Sequence, residues 1–351
     1  MNYQGQLKKA LVPFVGSLLS IGFGLFAVAA FLYVTGRNPL SIYNGMLVSA
    51  FGDSFALSET LVAATPIMFC ALAVSIGTRV GLLNIGVEGQ LLAGAAGATV
   101  VALNLPPQTQ ALPMLSLMCL SAVICGAAWS GIAGILKVFL QVNETIVSLL
   151  LNYVAVLLID YLIHGPWQDP TSTSWPQTQA FPESAELLHL AGSRIHLGLP
   201  IAIAIGLVLA LFWSTTKAGF KSRVIGENIE AARYAHYHVK TYLLVAMLVS
   251  GMVAALAGFA QVSAIEGRLR SGLSPGYGYS GFLVCFLARH NPLAIIVVAI
   301  LLGGFLSGAD SLQLTEKLPF ATVNIMQGAI FLFLLASENF FKKLSNKGSA
   351  T

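Results

Sequence analysis

The sequence predicts an all-α fold, a polytopic membrane helical bundle of about ten segments that includes broken or half helices, with both termini cytoplasmic. Three observations carry this prediction. Apolar runs of spanning or near-spanning length follow one another along the whole chain. The composition is 56% hydrophobic and 9% charged, with a mean hydropathy of +0.81, against about a quarter charged in ordinary soluble domains. Lysine and arginine also divide unevenly between the connections on alternate sides of those runs.

The runs are Leu11 to Thr35, Ser58 to Thr78, Ile85 to Leu103, Pro113 to Val138, Thr145 to Ile163, His196 to Thr215, Thr241 to Ala264, Tyr279 to Ala288, Pro292 to Gly308 and Pro319 to Phe340. The first follows Lys8 and Lys9, but it exceeds the apolar core of a signal peptide and no small-residue cleavage site follows, so it is expected to stay in the mature chain. Tyr279 to Ala288 is too short to cross a hydrocarbon layer of about 30 Å. It is therefore a half-helix, or it extends into the preceding GLSPGYGY. No hydrophilic stretch is long enough for a second domain, so residues 1–351 read as one transmembrane domain.

With the amino terminus inside, 13 of the 18 basic residues fall in cytoplasmic connections and 5 (Arg37, Arg194, Arg268, Arg270 and Lys317) fall outside. The reverse orientation would invert that ratio, so an even number of spans is preferred. Because the basic residues are scattered among loops, the net charge of +4 does not point to nucleic acid. The cysteines Cys70, Cys119, Cys125 and Cys285 lie within apolar runs without metal-ligand spacing and read as helix-packing thiols. The six histidines sit near loops or helix ends, and no metal site is expected.

Inside this apolar background, GLLNIGVEGQLLAGAAGA (Gly81 to Ala98) holds Asn84, Glu88 and Gln90. A carboxylate in hydrocarbon costs roughly 2.5 kcal/mol or more, so Glu88 needs a bundle interior, a water-filled path or a partner. Gly81 and Gly86 allow a backbone break, which membranes tolerate only where protein or a cavity surrounds it. Glu88 either touches solute or satisfies free amides at the broken helix, and the second role is favoured because the solutes suggested below are neutral.

Two connections exceed hairpin length. The outer one, residues 164–195, carries Trp167, Trp175 and four prolines, a composition that favours an ordered, irregular surface. It either caps the bundle or receives a partner outside the membrane. The inner one, residues 216–240, contains Gly219 and Gly226 as breaks and Asn228 as the cap of a short helix with Glu230 in its first turn. Ala231, Ala232, Ala235, Tyr234 and Tyr237 would form a compact knob able to enter a groove on another protein; the alternative is an amphipathic helix lying on membrane lipid.

No phosphate loop, HExxH, paired CxxC or GxSxG occurs, so nothing in the chain points to an enzyme. GLLNIGVEGQ, NETIVSLLLNYVA (Asn143 to Ala155), GFKSRVIGENIEAARYA (Gly219 to Ala235) and GYSGFLVCFLARHNPLAI (Gly278 to Ile295) together resemble the permease subunits of bacterial ABC importers for nucleosides and simple sugars. These belong to the broad group that includes ribose and branched-chain amino-acid permeases, and the NIG-x-EGQ element resembles the nucleoside branch. After the Ala-Ala-x-Tyr-Ala element the chain departs from the family's glycine, carrying His236, Tyr237 and His238.

The resemblance implies an inner-membrane location and no cofactor on this chain, with ATP and magnesium bound by a separate cytoplasmic ATPase. It also implies a second related permease completing a heterodimer, and a periplasmic or lipid-anchored solute-binding protein outside. By resemblance, Gly219, Arg223, Gly226, Glu227, Asn228, Ala231, Ala232 and Tyr234 couple to the ATPase, and Asn84, Glu88, Gln90 and Asn152 lie by the translocation path. An ion-coupled secondary transporter using Glu88 or Asp160 is the alternative, but it would show inverted repeats, and no second copy of NIGVEGQ is visible.

Overall fold

The computed structural model describes residues 22–172, 175–190 and 192–315, together with 322, 325, 326, 328, 329 and 332. The run Pro319 to Phe340 and the start of Leu11 to Thr35 lie largely outside the described residues. The helices are α1 (Gly22–Val34), then α2 (Pro39–Phe51), α3 (Ser54–Arg79), α4 (Val87–Asn104), α5 (Ala111–Leu140), α6 (Glu144–His164), α7 (Gly198–Thr215), α8 (Lys217–Glu227), α9 (Ile229–Tyr234), α10 (Val239–Ala260), α11 (Tyr277–Leu287) and α12 (Pro292–Thr315). A 3₁₀ turn (Glu183–Ala185) and a π-helical turn (Gln261–Glu266) interrupt the connections. No strand is present among the described residues, and two isolated bridges, Gln177 with Arg270 and His189 with His196, are the only β pairings among them.

Every predicted run from Ser58 to Gly308 is a helix within about four residues of its expected limits, except that the helix beginning at Pro292 continues past Gly308 to Thr315. Six helices are long and apolar enough to cross a membrane: α3, α5, α6, α7, α10 with its π turn, and α12. The short run is a half-helix. α11 begins only two residues before Tyr279, and its 11 residues reach about 16 Å at 1.5 Å each. Before it the chain turns through glycines with positive φ at 267, 272 and 276.

α2 was not anticipated. Its 13 residues are too short for a span, yet it is built on a strong start signal: Asn38 accepts from the Leu40 N–H at 3.0 Å, and Pro39 takes the first helical position.

The described residues fall into two compact units. In the first, residues up to Ala56 join those from Phe305 onward, around a core of Val28, Leu32, Ile42, Met46, Ala309, Leu312 and Met326. The second, Leu57–Gly304, is centred on α4, which packs against α5, α10 and α6. α4 is buried along most of its length although it is not one of the six apolar spans. Small residues let these backbones approach: a Cβ at Gly94 would stand 2.5 Å from the Ala255 backbone, and one at Gly258 would overlap the Leu91 carbonyl. Close backbone contact of this kind is how helices associate where lipid offers no hydrophobic drive.

In the long connection 164–195 the described residues make backbone and side-chain hydrogen bonds to distant segments. Thr178 donates its N–H to the Leu269 carbonyl at 2.9 Å and accepts from the Leu269 N–H at 3.0 Å; Phe181 and Leu187 donate to Gly267 and Ser263. Arg194 adds a forked pair to Glu59 at 3.0 and 3.1 Å. The segment is thereby tied to the π turn, to the residues just after it and to α3, while Trp175 stays exposed.

Candidate functional site

The site begins where α3 stops. Arg79 ends the helix, Gly81 turns the chain at φ +81°, and residues 80–86 run as a connector to α4. That conformation suits glycine, and the space does as well, because a Cβ at Gly81 would meet the Gly226 carbonyl at 3.3 Å.

The connector's polar groups are satisfied inside the bundle. Asn84 and Gln90 exchange amide hydrogen bonds, both 3.0 Å, and Asn84 Nδ2 also donates to Ser250 Oγ at 2.8 Å. Ser250 passes its own proton to the Ala73 carbonyl at 2.6 Å. Asn84 Oδ1 accepts from the Gly86 N–H at 3.0 Å. Four elements (α3, the connector, α4 and α10) are joined through these side chains. Such groups, buried in low dielectric, are costly when unpaired and rigid when complete.

The start of α4 has no side-chain cap of its own. Asn152 on α6 supplies it, accepting from the Gly89 N–H at 2.8 Å while its Nδ2 donates to the Ile85 carbonyl at 3.0 Å and lies 3.4 Å from the Tyr279 hydroxyl. Glu88 turns elsewhere. Its Oε2 accepts from the Gly278 N–H at 2.6 Å, in the first turn of α11, and the Ser274 hydroxyl bonds to the same carboxylate. Ser274 Oγ in turn accepts from the N–H groups of Gly276 and Tyr277 at 3.2 and 3.0 Å. The carboxylate thus meets the orphan donors and positive dipole end of a half-helix. The expectation that Glu88 satisfies amides of its own broken helix needs correction: it holds the start of α11, and the amide of Asn152 holds the start of α4.

All four expected path residues therefore lie buried in neighbouring hydrogen-bonded clusters, Asn84 with Gln90 and Ser250, Asn152 with the exposed Tyr279, and Glu88 with Ser274 and Gly278; Ser250, Ser274, Gly278 and Tyr279 were not singled out from the sequence. Trp129 Nε1 is a buried donor beside Gly89 and has no acceptor among the described residues.

The connection 216–240 forms two helices that meet at an elbow at Asn228. Thr216 caps α8 by accepting from the Gly219 N–H at 2.9 Å, and Asn228 caps α9 by accepting from the Ala231 N–H at 3.0 Å, with Glu230 in the first turn. Gly219 and Gly226, expected as breaks, lie inside α8. Their part is close approach. A Cβ at Gly219 would meet the Phe212 carbonyl at 2.5 Å, and one at Gly226 would meet the Arg79 carbonyl at 2.5 Å and the Gly81 nitrogen at 3.1 Å.

Arg223, Glu227, Asn228, Ala231 and Tyr234 are exposed, whereas Ala232 is fully buried and packs α9 onto its own chain. Arg223 pairs with Glu227 at 2.8 Å, a bond that holds its guanidinium above the usual arginine range. Ile229, Glu230 and Arg233 share the exposed surface of α9 and were missed as candidates, although Glu230 and Arg233 stand three apart and pair at 2.8 Å.

Six helices long and apolar enough to cross a membrane, together with a buried helix that has a polar start, define a polytopic membrane protein. The chain belongs to the family described as branched-chain amino acid transport system, permease component, which matches residues 56–335. It is 35% identical to a glucose ABC transporter permease protein of Haloferax volcanii, over 98% of this chain and 93% of the relative. It is 32% identical to a guanosine ABC transporter permease protein of Bacillus subtilis, over 98% and 99%. A nucleoside ABC transporter permease protein of Lactococcus lactis is 29% identical, over 93% and 91%. The chain is accordingly the permease component of an ABC importer, a multi-pass protein of the cytoplasmic membrane. Family membership sets aside the ion-coupled alternative.

Proposed function

We propose that the chain, acting as one permease domain over residues 1–351, forms the path by which a nucleoside or simple sugar enters the cell, with a separate ATPase supplying the energy. The solute class rests on the names of relatives at 29 to 35% identity. On this reading α1, α3 to α7 and α10 to α12 are taken with the apolar sequence run Pro319 to Phe340 as ten membrane segments, six of them long and apolar enough to span, and the 13 to 5 charge split supports placing both termini and α8–α9 in the cytoplasm. The outer connection then faces a solute-binding protein, and a second related permease completes the pore. ATP and magnesium belong to the ATPase.

The observation that carries this reading is the contact of Gly226 with Arg79 and Gly81. The exposed faces of α8 and α9 offer the ATPase a docking knob, and behind them Gly226 lies on the turn from which the polar connector departs. A displacement of α8 is passed to residues 80–86, and through Asn84, Asn152 and Glu88 to α10, α6 and α11, a rigid-element mode of switching. Asn84, Glu88, Gln90 and Asn152 act in this scheme as the joint of the path, and Arg223, Glu227, Asn228, Ala231 and Tyr234 as its handle. Gly219 and Ala232 set the handle's shape.

Tyr234→Ala is expected to leave membrane insertion unchanged and to weaken co-purification of the ATPase about 30-fold, the scale of losing an aromatic anchor worth about 2 kcal/mol. Asn228→Ala, which removes a cap worth about 1 kcal/mol, should weaken it less. Unchanged co-purification in both variants would place the ATPase elsewhere. For the solute, the external binding protein is expected to bind guanosine or glucose in a calorimetric screen; binding only of amino acids would overturn the class.

A further inference from the structure

A cavity of about 1270 Å³ opens beside the elbow, lined by the end of α3, the last turns of α7, the first turns of α8 and the turn between α11 and α12. Its charged lining is of one sign, Arg79, Lys217, Lys221, Arg223 and Arg289, with His290 beside them and no aspartate or glutamate among the lining residues. Glu227, the partner of Arg223, is not part of the wall. Arg79, Lys217, Lys221 and Arg289 have no carboxylate within ion-pair distance among the described residues.

Two of these cations are held by aromatic faces instead. The Arg79 guanidinium lies 5.2 Å from the Trp213 ring and Lys221 Nζ lies 5.2 Å from the Tyr237 ring. Arg79 Nε is buried and has no acceptor among the described residues. Arg289 and His290 reach the cavity from two consecutive left-handed residues, φ 51° and 59°, a conformation that carries strain for side chains other than glycine. The cavity is therefore a preformed cluster of cations short of an anion.

Beside the cations the wall holds the polar Ser214, Thr215, Thr216 and Asn291 and an apolar face open to the surroundings. Leu207, Leu211, Phe220 and Leu293 all line it and are exposed, Leu211 by 62%. Leu207 to Thr215 is a stretch of α7 that rises about 12 Å from the cationic rim into the membrane-crossing part of the helix. An inorganic anion would use the cations and leave this wall bare. An acidic segment of a soluble partner would have to enter hydrocarbon to cover it. The exposed part of α9, proposed above as the ATPase contact, does not line the cavity.

We propose that this cavity is a binding site for one anionic phospholipid, its phosphate headgroup set among Arg79, Lys217, Lys221 and Arg289 and an acyl chain lying along Leu211 and Leu207. The unpaired Arg79 donor gains a phosphate oxygen, and the lipid becomes a filling between α7, α8 and the α11–α12 turn. Basic pockets between membrane helices have the chemistry for such headgroups. The inference needs α7 to cross the membrane. On the orientation proposed above the lipid belongs to the cytoplasmic leaflet; a reversed orientation would move the site to the other leaflet and leave binding intact, so the two readings fail separately.

The test is native mass spectrometry of the purified full-length chain in detergent, titrated in separate arms with phosphatidylglycerol, phosphatidylcholine and inorganic phosphate. Wild-type protein is expected to retain one phosphatidylglycerol, more tightly than phosphatidylcholine and more weakly as salt rises. Lys217→Gln combined with Arg289→Gln should bind it about 30-fold more weakly, at about fivefold per charge removed. Lys217→Arg with Arg289→Lys, which keeps both charges, should bind it nearly as wild type. Equal retention by the wild-type and glutamine proteins would overturn the site. So would equal loss in the charge-preserving variant, or inorganic phosphate that displaces the lipid at matching concentration. Loss of ATPase co-purification in the glutamine variant with lipid binding intact would assign the cavity to the ATPase.

Discussion

Glu88→Ala is expected to give a chain that inserts but melts markedly earlier and transports little, because the Gly278 N–H and the Ser274 hydroxyl lose their shared acceptor. Leaving a buried donor unpaired costs about 1–3 kcal/mol, and hydrogen bonds to a charged group lie at the upper end of net values. Two such donors at the start of an 11-residue half-helix make this one of the most damaging single changes in the molecule. Glu88→Gln keeps one acceptor oxygen but replaces the other by an NH2 donor and removes the charge, so it should fall between wild type and alanine. The measurement is thermal unfolding in detergent together with solute uptake in reconstituted vesicles. Equal stability of all three proteins would show that the carboxylate does not hold α11.

Gly226→Val is the second large effect, and it should separate assembly from work. A Cβ at this position meets the Arg79 carbonyl at 2.5 Å and the Gly81 nitrogen at 3.1 Å, both backbone atoms with little room to give. Overpacking of this kind costs about 1–3 kcal/mol. Here the clash falls between α8 and the connector, outside the α4, α5 and α10 core, so the chain should still fold and still bind the ATPase through α9. Solute-stimulated ATP hydrolysis and transport should drop, by roughly tenfold for each 1.4 kcal/mol of lost coupling. Normal transport by this variant would mean that the elbow does not act through the connector.

How much of this could be read beforehand follows from the range of each interaction along the chain. Apolar runs are local, and they marked α3 to α7 and α10 to α12 within a few residues, the end of α12 excepted. The Asn228 cap is local too: an asparagine three residues before the N–H it receives. α2 was missed for a different reason: a 13-residue helix is weak by a spanning-length criterion, although Asn38 and Pro39 announced its start. Gly219 and Gly226 were read by their low helix propensity, which close packing against other backbone overrides. Ala232 could not be told from Ala231, since burial of one face of a six-residue helix depends on what lies beneath it. The polar residues of NIGVEGQ were visible as a cluster that needed partners. Their partners Asn152, Ser250 and Gly278 stand 63, 166 and 190 positions from the groups they bond, and nothing local pairs them.

Those separations bear on how the protein is made. α4 emerges from the ribosome with an asparagine, a glutamate and a glutamine at its start and with less apolar character than the six spans around it. At that moment α6, α10 and α11 do not yet exist. The hydrogen bonds of the segment from Gly81 to Gln90 can therefore be completed only after Asn152, then Ser250, and then Gly278 have been synthesised, although α4 is translated early.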